Sequence, residues 1–279
     1  MAPRTVQIPT AQVSREISDY TIGLAKLTVH DRVEDATCAG SATLVNIGQV
    51  YGLLTAAHVL EDALPKKVDV GIILFRDRSL QKQVVKMENA EQLIIRGHKF
   101  GPNGPDLGFM RLPQENVGWL KATNSFCNLT RARDQVLAHK VPAPNYVDAI
   151  IGMIDELTKE VAVAQPLRRA KSFSAIFCNG QVRKERNKNG YDVLDIAVTA
   201  YPDFELPDSF EGMSGGALWR IYFIEKDNSP SIIEKRLIGV PFHQSQDEDG
   251  AKIISCHGPT GIYRALIDEI IKKWPDANK

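Results

Sequence analysis

The strongest constraint on the fold is a succession of short apolar runs, rich in β-branched residues and separated by turn residues. Examples are Tyr20–Val29, Val50–Ala56 and Leu107–Leu112. The gaps between consecutive runs are too short for the crossover helices of parallel βαβ units, so the pattern favours antiparallel pairing. The chain contains about twelve such runs, a number typical of β-barrels and sandwiches. The sequence therefore predicts an all-β fold.

One clear helix is expected at the end of the chain. From Thr260 to Trp274, apolar residues such as Ile262 and Leu266 recur at helical spacing. Thr260 is the expected N-cap, and Pro275 is expected to end the helix.

Three other segments are harder to interpret. Asn145–Val163 fits either a helix or a strand, and we favour a strand that ends near Gly152. Glu115–Val147 is polar and contains two prolines, which indicates a connection between two domains. The basic run Arg183–Lys188 ends in Asn-Gly and is interpreted as a solvated loop.

Composition excludes several classes of protein. Lys+Arg and Asp+Glu both number 34, so the net charge is zero and nothing attracts the whole molecule to nucleic acid or an acidic membrane. No apolar stretch reaches the ~18 residues of a membrane span. The N-terminus has no apolar core of a secretory signal. The four cysteines are scattered without a C-x-x-C pair, which argues against a structural zinc site and a dense disulfide framework.

The sharpest chemical signal is Gly212-Met213-Ser214-Gly215-Gly216. A serine in a glycine-flanked turn can expose its hydroxyl, and the glycines let the backbone bend so that neighbouring N–H groups converge. The N–H groups of Gly212 and Ser214 could then stabilise the oxyanion of a tetrahedral intermediate. This pattern predicts a nucleophilic serine.

Two weaker signals precede the serine. His58 follows the apolar run Leu54–Ala57, and Asp106 opens the run Leu107–Leu112. Alone, each residue is more often structural or exposed. Together they gain meaning, because a hydroxyl nucleophile needs a base and the base needs an acid that fixes its tautomer.

The motifs TAAH, DLGFMRL and GMSGG, in this order, resemble those of the chymotrypsin/trypsin-like serine peptidases. The resemblance covers Tyr20 to Trp274 and includes Cys38–Ser41 and Gly261–Tyr263. It implies two six-stranded antiparallel Greek-key barrels with a C-terminal α-helix and the site between the barrels. It also implies that His58 is the general base, Asp106 its orienting acid and Ser214 the nucleophile, with an oxyanion hole formed by Gly212 and Ser214.

The resemblance implies five segments. They are an N-terminal extension (1–18), a first barrel with His58 and Asp106 (19–125), a connection (126–146), a second barrel with Ser214 (147–258) and the helix (259–279).

Departures from the family are informative. Val59 and Phe210 stand where secreted members have cysteines, which suggests a reducing compartment, the cytoplasm, as in bacterial intracellular trypsin-like peptidases. Met213 replaces the Asp that pairs with a new N-terminus in zymogen-activated members, so that activation route is not expected. Phe242 replaces a Ser that usually supports the triad aspartate.

Specificity stays open at this point. Asp208 matches the pocket-base Asp of members that cleave after Lys or Arg, and Gly261 matches an open pocket wall. Against this, Gln244 replaces a small glycine and could narrow the pocket, while His243 could bind an acidic side chain.

Three alternatives remain. In an α/β-hydrolase esterase, Ser214 would be followed by Asp247 or Asp249 and by His257, on a strand–turn–helix. A protease fold could serve as a non-catalytic binding module. A peptidase could also stay latent until a protein partner activates it. The expected ligand is a protein or peptide substrate, with no metal, cofactor, nucleic acid or membrane.

Overall fold

The structure is a computed structural model that describes residues 8–31, 33–65, 68–75, 83–97, 105–161, 170–188, 190–199, 205–227 and 229–279. Two sheets with mainly antiparallel pairing, one curled and one closed into a barrel, are followed by a C-terminal helix. This arrangement confirms the predicted all-β fold class.

The first sheet follows the strand order β5-β4-β1-β2-β3-β7-β6, and β8 pairs parallel to β2 at one side. Its strands are β1 (Thr21–His30), β2 (Val33–Ile47), β3 (Val50–Thr55), β4 (Asp69–Leu74), β5 (Gln83–Lys86), β6 (Glu91–Arg96), β7 (Asp106–Arg111) and β8 (Cys127–Asn128). Among the described residues it is a curled path of seven strands, not a closed ring of six. Buried aliphatic side chains, among them Leu24, Leu44 and Leu53, fill its inner face.

The second sheet is a closed barrel with the order β10-β11-β14-β13-β12-β9. Its strands are β9 (Asn145–Val161), β10 (Ala170–Lys188), β11 (Tyr191–Thr199), β12 (Ala217–Lys226), β13 (Ser229–Gln246) and β14 (Lys252–His257). Ile150, Leu218 and Ile254 are among the buried residues in its interior. All of its strand pairs are antiparallel.

Several expectations need correction. The strand expected to end near Gly152 continues to Val161, because its second half pairs with the start of β10. The basic run Arg183–Lys188 is not a loop but the end of β10, which forms a hairpin with β11.

The N-terminal and connecting segments are partly helical. Residues 1–7 of the expected extension lie outside the described residues, and the rest forms helix α1 (Thr10–Ser18). The expected connection (126–146) contains β8 and α3 (Leu129–Leu137), and α2 (Gln114–Thr123) lies just before it.

The C-terminal helix begins with a π-helical turn, Gly261–Leu266, and continues as α4 (Ile267–Lys273). Thr260 has helical dihedrals and makes no side-chain cap, which corrects the expected N-cap. Instead, the carboxylate of Asp192 on β11 accepts hydrogen bonds from the N–H groups of Thr260 (2.8 Å) and Gly261 (2.9 Å). A carboxylate at this position satisfies N–H groups that the helix leaves unpaired.

This helix packs on both sheets. Ile262 and Ile270 are fully buried in one cluster with Leu54 of the first sheet and Trp219 of the second. The hydroxyl of Tyr263 donates to the carbonyl of Leu237 on β13 at 2.9 Å. The helix therefore helps to fix the two sheets relative to each other. Among the residues that the structure describes, no helix is both long enough and apolar enough to cross a lipid bilayer.

Candidate active site

The turn that carries Ser214 needs two of its glycines. Gly212 and Gly215 have φ of 92° and 84°, in the left-handed region that side chains disfavour. A Cβ atom on Gly215 would also overlap the Thr55 hydroxyl and the Ser41 carbonyl oxygen. Dihedrals and close packing together explain the glycine-rich sequence.

The backbone N–H groups of this turn fall into two sets. Those of Met213, Gly215 and Gly216 donate to backbone carbonyls at 2.8–3.0 Å. Among the described residues, no hydrogen bond uses the N–H of Gly212 or Ser214. The carbonyl of Glu211 accepts from the N–H of Asp155 on β9 (2.9 Å), so the Gly212 N–H of the same peptide points away from β9.

Ser41 on β2 holds the turn from the other sheet. Its hydroxyl donates to the Gly212 carbonyl and accepts from the N–H of Met153, both at 2.7 Å. Its N–H donates to the Ser214 carbonyl at 2.8 Å. Ser41 is fully buried, so these bonds are shielded from water. Sequence reasoning missed this role, because 171 residues separate Ser41 from Gly212.

The strand pair β3–β7 brings His58 and Asp106 together. His58 follows the end of β3, and Asp106 is the first residue of β7. Asp106 Oδ2 lies 2.6 Å from His58 Nδ1, and Oδ1 accepts from the His58 backbone N–H at 2.9 Å. A carboxylate at this distance favours the tautomer with the proton on Nδ1, in which Nε2 is the acceptor.

The carboxyl of Asp106 is anionic at neutral pH. Burial alone would raise its pKa, but hydrogen bonds from the ring and backbone of His58, with the charge of that ring, outweigh burial and hold the pKa below its ordinary value. A carboxylate of this kind can orient an imidazole and stabilise its protonated form.

The Ser214 turn and the His58 turn meet at Gly40. A Cβ atom there would lie 2.8 Å from Val59 Cγ2 and 3.1 Å from the Ser214 carbonyl oxygen. Among the described residues the His58 ring bonds to Asp106, and no hydrogen bond joins it to the Ser214 hydroxyl. In resting hydrolases such a bond is commonly long and tightens only when substrate binds.

His257 lies on the other side of Asp106. Its ring is 1% exposed, and its Nε2 accepts a hydrogen bond from the Asp106 backbone N–H at 3.0 Å. Phe242 stacks on this ring with a centroid distance of 4.1 Å and an interplanar angle of 16°. Burial lowers the pKa of His257 to about 4, so the ring is neutral at physiological pH.

A cleft of about 240 Å³ adjoins Ser214. His243 and Gln244, both expected to influence specificity, line it, and His243 is exposed at its edge. The Gln244 side chain bridges the two walls of the cleft. Its Oε1 accepts from the Phe210 N–H at 2.7 Å, and its Nε2 donates to the Asp208 carbonyl at 3.1 Å.

Two expected pocket residues do not reach this cleft. The Asp208 side chain is fully exposed and lies 3.5 Å from Lys252 Nζ, so it does not form the base of a pocket. Gly261 is buried at the start of the C-terminal helix, where its Cα faces Leu107 and Tyr191. Gly261 belongs to the C-terminal helix, while the strand that pairs with β13 is β14 (Lys252–His257).

The α/β-hydrolase alternative is contradicted by the fold. Ser214 is followed by the antiparallel strand β12 and not by a helix. The side chain of Asp247 accepts from the N–H groups of Asp249 and Ala251 in its own turn, while His257 binds Asp106.

Neither a metal nor a thiol nucleophile is suggested by the described residues. They contain no cluster of three or more His, Cys, Asp or Glu side chains that could hold a metal ion. All four cysteines are free. Cys38 lies nearest the turn, beside Gly212, but burial and the charge of Asp155 raise its pKa to about 12. It is therefore a neutral thiol, which is a poor nucleophile.

Comparisons with known proteins identify no family. No family model matches the chain, and no curated protein matches it. Chains of solved structures do match, and one comes from a study entitled "Aromatic interactions drive the coupled folding and binding of the intrinsically disordered Sesbania mosaic virus VPg protein". The identity is 14%, the match covers 88% of this chain and 89% of that one, and the TM-score is 0.41. Similarity at this level supports no statement about function.

Proposed function

We propose that the chain is a serine endopeptidase of the chymotrypsin/trypsin-like kind, which hydrolyses peptide bonds in a protein or peptide through an acyl-enzyme. Ser214 is the nucleophile, His58 the general base and Asp106 the residue that orients it. The motif resemblance supports this proposal, as does the close pairing of His58 with Asp106.

One observation carries the proposal. In the turn around Ser214, the N–H groups that stay free of described partners are those of Gly212 and Ser214, the pair that an oxyanion hole requires. The neighbouring N–H groups are paired. A backbone N–H left free in a fixed turn is available to a developing negative charge, and one such donor contributes about 10²–10³ in rate.

In the proposed reaction, the Ser214 hydroxyl attacks the carbonyl carbon of the scissile peptide while His58 Nε2 takes its proton. Asp106 stabilises the imidazolium that forms. The free N–H groups bind the oxyanion until the peptide bond breaks and His58 returns the proton to the leaving amine. Water then hydrolyses the acyl-enzyme by the same steps in reverse order.

We further propose that the turn needs no activating cleavage. Met213 is 1% exposed and packs in the barrel core, while Ser41 holds the flanking Gly212 carbonyl. Both contacts are made within the chain, without a newly created N-terminus. An activating partner would then control whether the substrate can enter the cleft, and would not reshape the turn around Ser214. A cytoplasmic location belongs to the same proposal, supported by the four free thiols.

A fluorophosphonate probe tests the proposed function. We expect the isolated protein to gain a single adduct on Ser214, measured by intact mass and peptide mapping. His58→Ala should abolish labelling, because the hydroxyl loses its base. Folded protein that never reacts would contradict the proposal and favour the non-catalytic binding module, whereas reaction only after a partner is added would support latency.

The Gln244 bridge across the cleft indicates the size of the substrate side chain that the cleft can accept. Because Gln244 spans the walls and Asp208 faces solvent, we propose that the residue before the scissile bond is small and uncharged.

Gln244→Gly should therefore deepen the cleft. We expect the ratio of kcat/KM for a phenylalanine peptide to that for an alanine peptide to rise about 10-fold or more, since added apolar contact is worth roughly 10–200-fold. Paired fluorogenic peptides measure this ratio. Gln246→Gly, at the exposed end of the same strand, is the matched control. An unchanged ratio, or wild-type preference for Arg, would contradict the assignment.

A further inference from the structure

We propose that His257, stacked on Phe242, is a positioning residue for the triad: its neutral Nε2 holds the Asp106 backbone so that the carboxylate stays aligned with His58. The inference rests on the proposed function, because it concerns the same site. In the peptidases that the motifs resemble, a Ser usually supports the triad aspartate. Here Phe242 stands in its place, and the proposal assigns the supporting role to the stacked pair of His257 and Phe242.

The Asp106 N–H has a particular need for an acceptor. On the side of β3, the strand ladder ends where Thr55 pairs with Gly108, so it does not reach Asp106. The N–H donates to His257 Nε2 at 3.0 Å instead. Asp106 is then held at three points, two on His58 and one on His257. Without the third point, a half-buried N–H would lose its partner and the backbone would move to find another.

The position of the His257 ring lets Nε2 form this bond but leaves the other nitrogen, Nδ1, without a hydrogen-bond partner among the described residues. Nε2 can accept only if the proton is on Nδ1, and Nδ1 is buried without a hydrogen-bond partner among the described residues. An unpaired buried donor is unfavourable, so the arrangement favours the Nε2 bond over full satisfaction of the ring. Phe242 fixes the ring plane by stacking.

The charges around His257 agree with a neutral ring. Asp106 and Asp192 face it and would favour the protonated form, while burial and His58 oppose protonation and prevail. A protonated ring would carry a proton on Nε2 and could not accept from Asp106. The acceptor is thus present throughout the neutral pH range.

The test replaces His257 and follows the His58–Asp106 pair directly. In His257→Phe, we expect kcat to fall about 10–100-fold with KM nearly unchanged, and the far-downfield proton resonance of the His58 Nδ1–H to shift upfield or broaden. The range reflects loss of alignment and not of a reacting group. His139→Phe, exposed after α3, is the matched control.

Two isosteres keep the proposal testable if His257→Phe fails to fold. Gln places its amide near the position of Nε2, whereas Asn places it near Nδ1. We expect His257→Gln to recover most of the resonance and the rate, and His257→Asn to recover neither. Equal behaviour of these variants, or a wild-type resonance in His257→Phe, would overturn the proposal. The resonance needs no turnover, so failure of probe labelling alone would contradict the proposed function and leave the His257 result to be judged separately.

Discussion

Ser214→Ala is expected to fold like the wild type and to lose about 10⁶-fold in kcat, the loss seen when a nucleophile is removed from such a triad. The physical reason is that the variant lacks the proposed nucleophile, and the neighbouring Cys38 thiol stays protonated and does not replace it. Among the described residues, Ser214 is bonded through its backbone carbonyl, which accepts from the Ser41 N–H, so removal of its hydroxyl should change the free energy of unfolding little. Peptide turnover and thermal unfolding measure the two effects.

The control for this variant is Ser245→Ala, an exposed serine on β13. It should retain wild-type turnover. If Ser214→Ala kept more than a small fraction of the activity, the serine assignment would be wrong and the hydrolysis would have to come from a contaminant or another group.

Asp106→Asn has the second largest expected effect, a fall of about 10⁴-fold in kcat with the backbone intact. Asn can donate from its amide nitrogen to His58 Nδ1, which would place the ring proton on Nε2. A protonated Nε2 cannot accept the proton of the Ser214 hydroxyl. Steady-state kinetics on one peptide substrate would measure the loss.

An exposed aspartate on α3 provides the matched control, Asp134→Asn, which should leave kcat unchanged. A loss in Asp106→Asn that came with unfolding would be structural, so circular dichroism of both variants accompanies the kinetics. Wild-type kcat in folded Asp106→Asn would remove Asp106 from the triad.

Local patterns predicted the elements that hold the candidate triad. The apolar run before His58, the run that Asp106 opens and the glycine-flanked Ser214 each carry their signal within a few residues. Strand pairing then brings His58 and Asp106 together, because β3 and β7 are neighbours. Apolar alternation and turn residues are short-range features, so they can be recognised in the sequence without knowledge of the tertiary structure.

The errors concern contacts between distant parts of the chain. Motif position suggests Asp208 and Gly261 as pocket residues, but the Asp208 side chain faces solvent beside Lys252 and Gly261 lies in the C-terminal helix. The bond between Asp106 and His257 spans 151 residues and has no periodic signature. The loop prediction for the basic run Arg183–Lys188 is wrong for a different reason. Its partner strand, β11, is close in sequence, but composition alone does not distinguish an exposed hairpin strand from a loop.

Ser41 has a consequence for the order in which the protein assembles. Its backbone and hydroxyl bind three groups of the second barrel, at Met153, Gly212 and Ser214, although it belongs to the first sheet. The turn around Ser214 therefore receives its final shape only when the two halves dock. The second barrel follows the first sheet in the chain, so these three bonds cannot form before the second barrel has been synthesised. Both halves of the chain must therefore be in place before the turn around Ser214 can be held by these bonds.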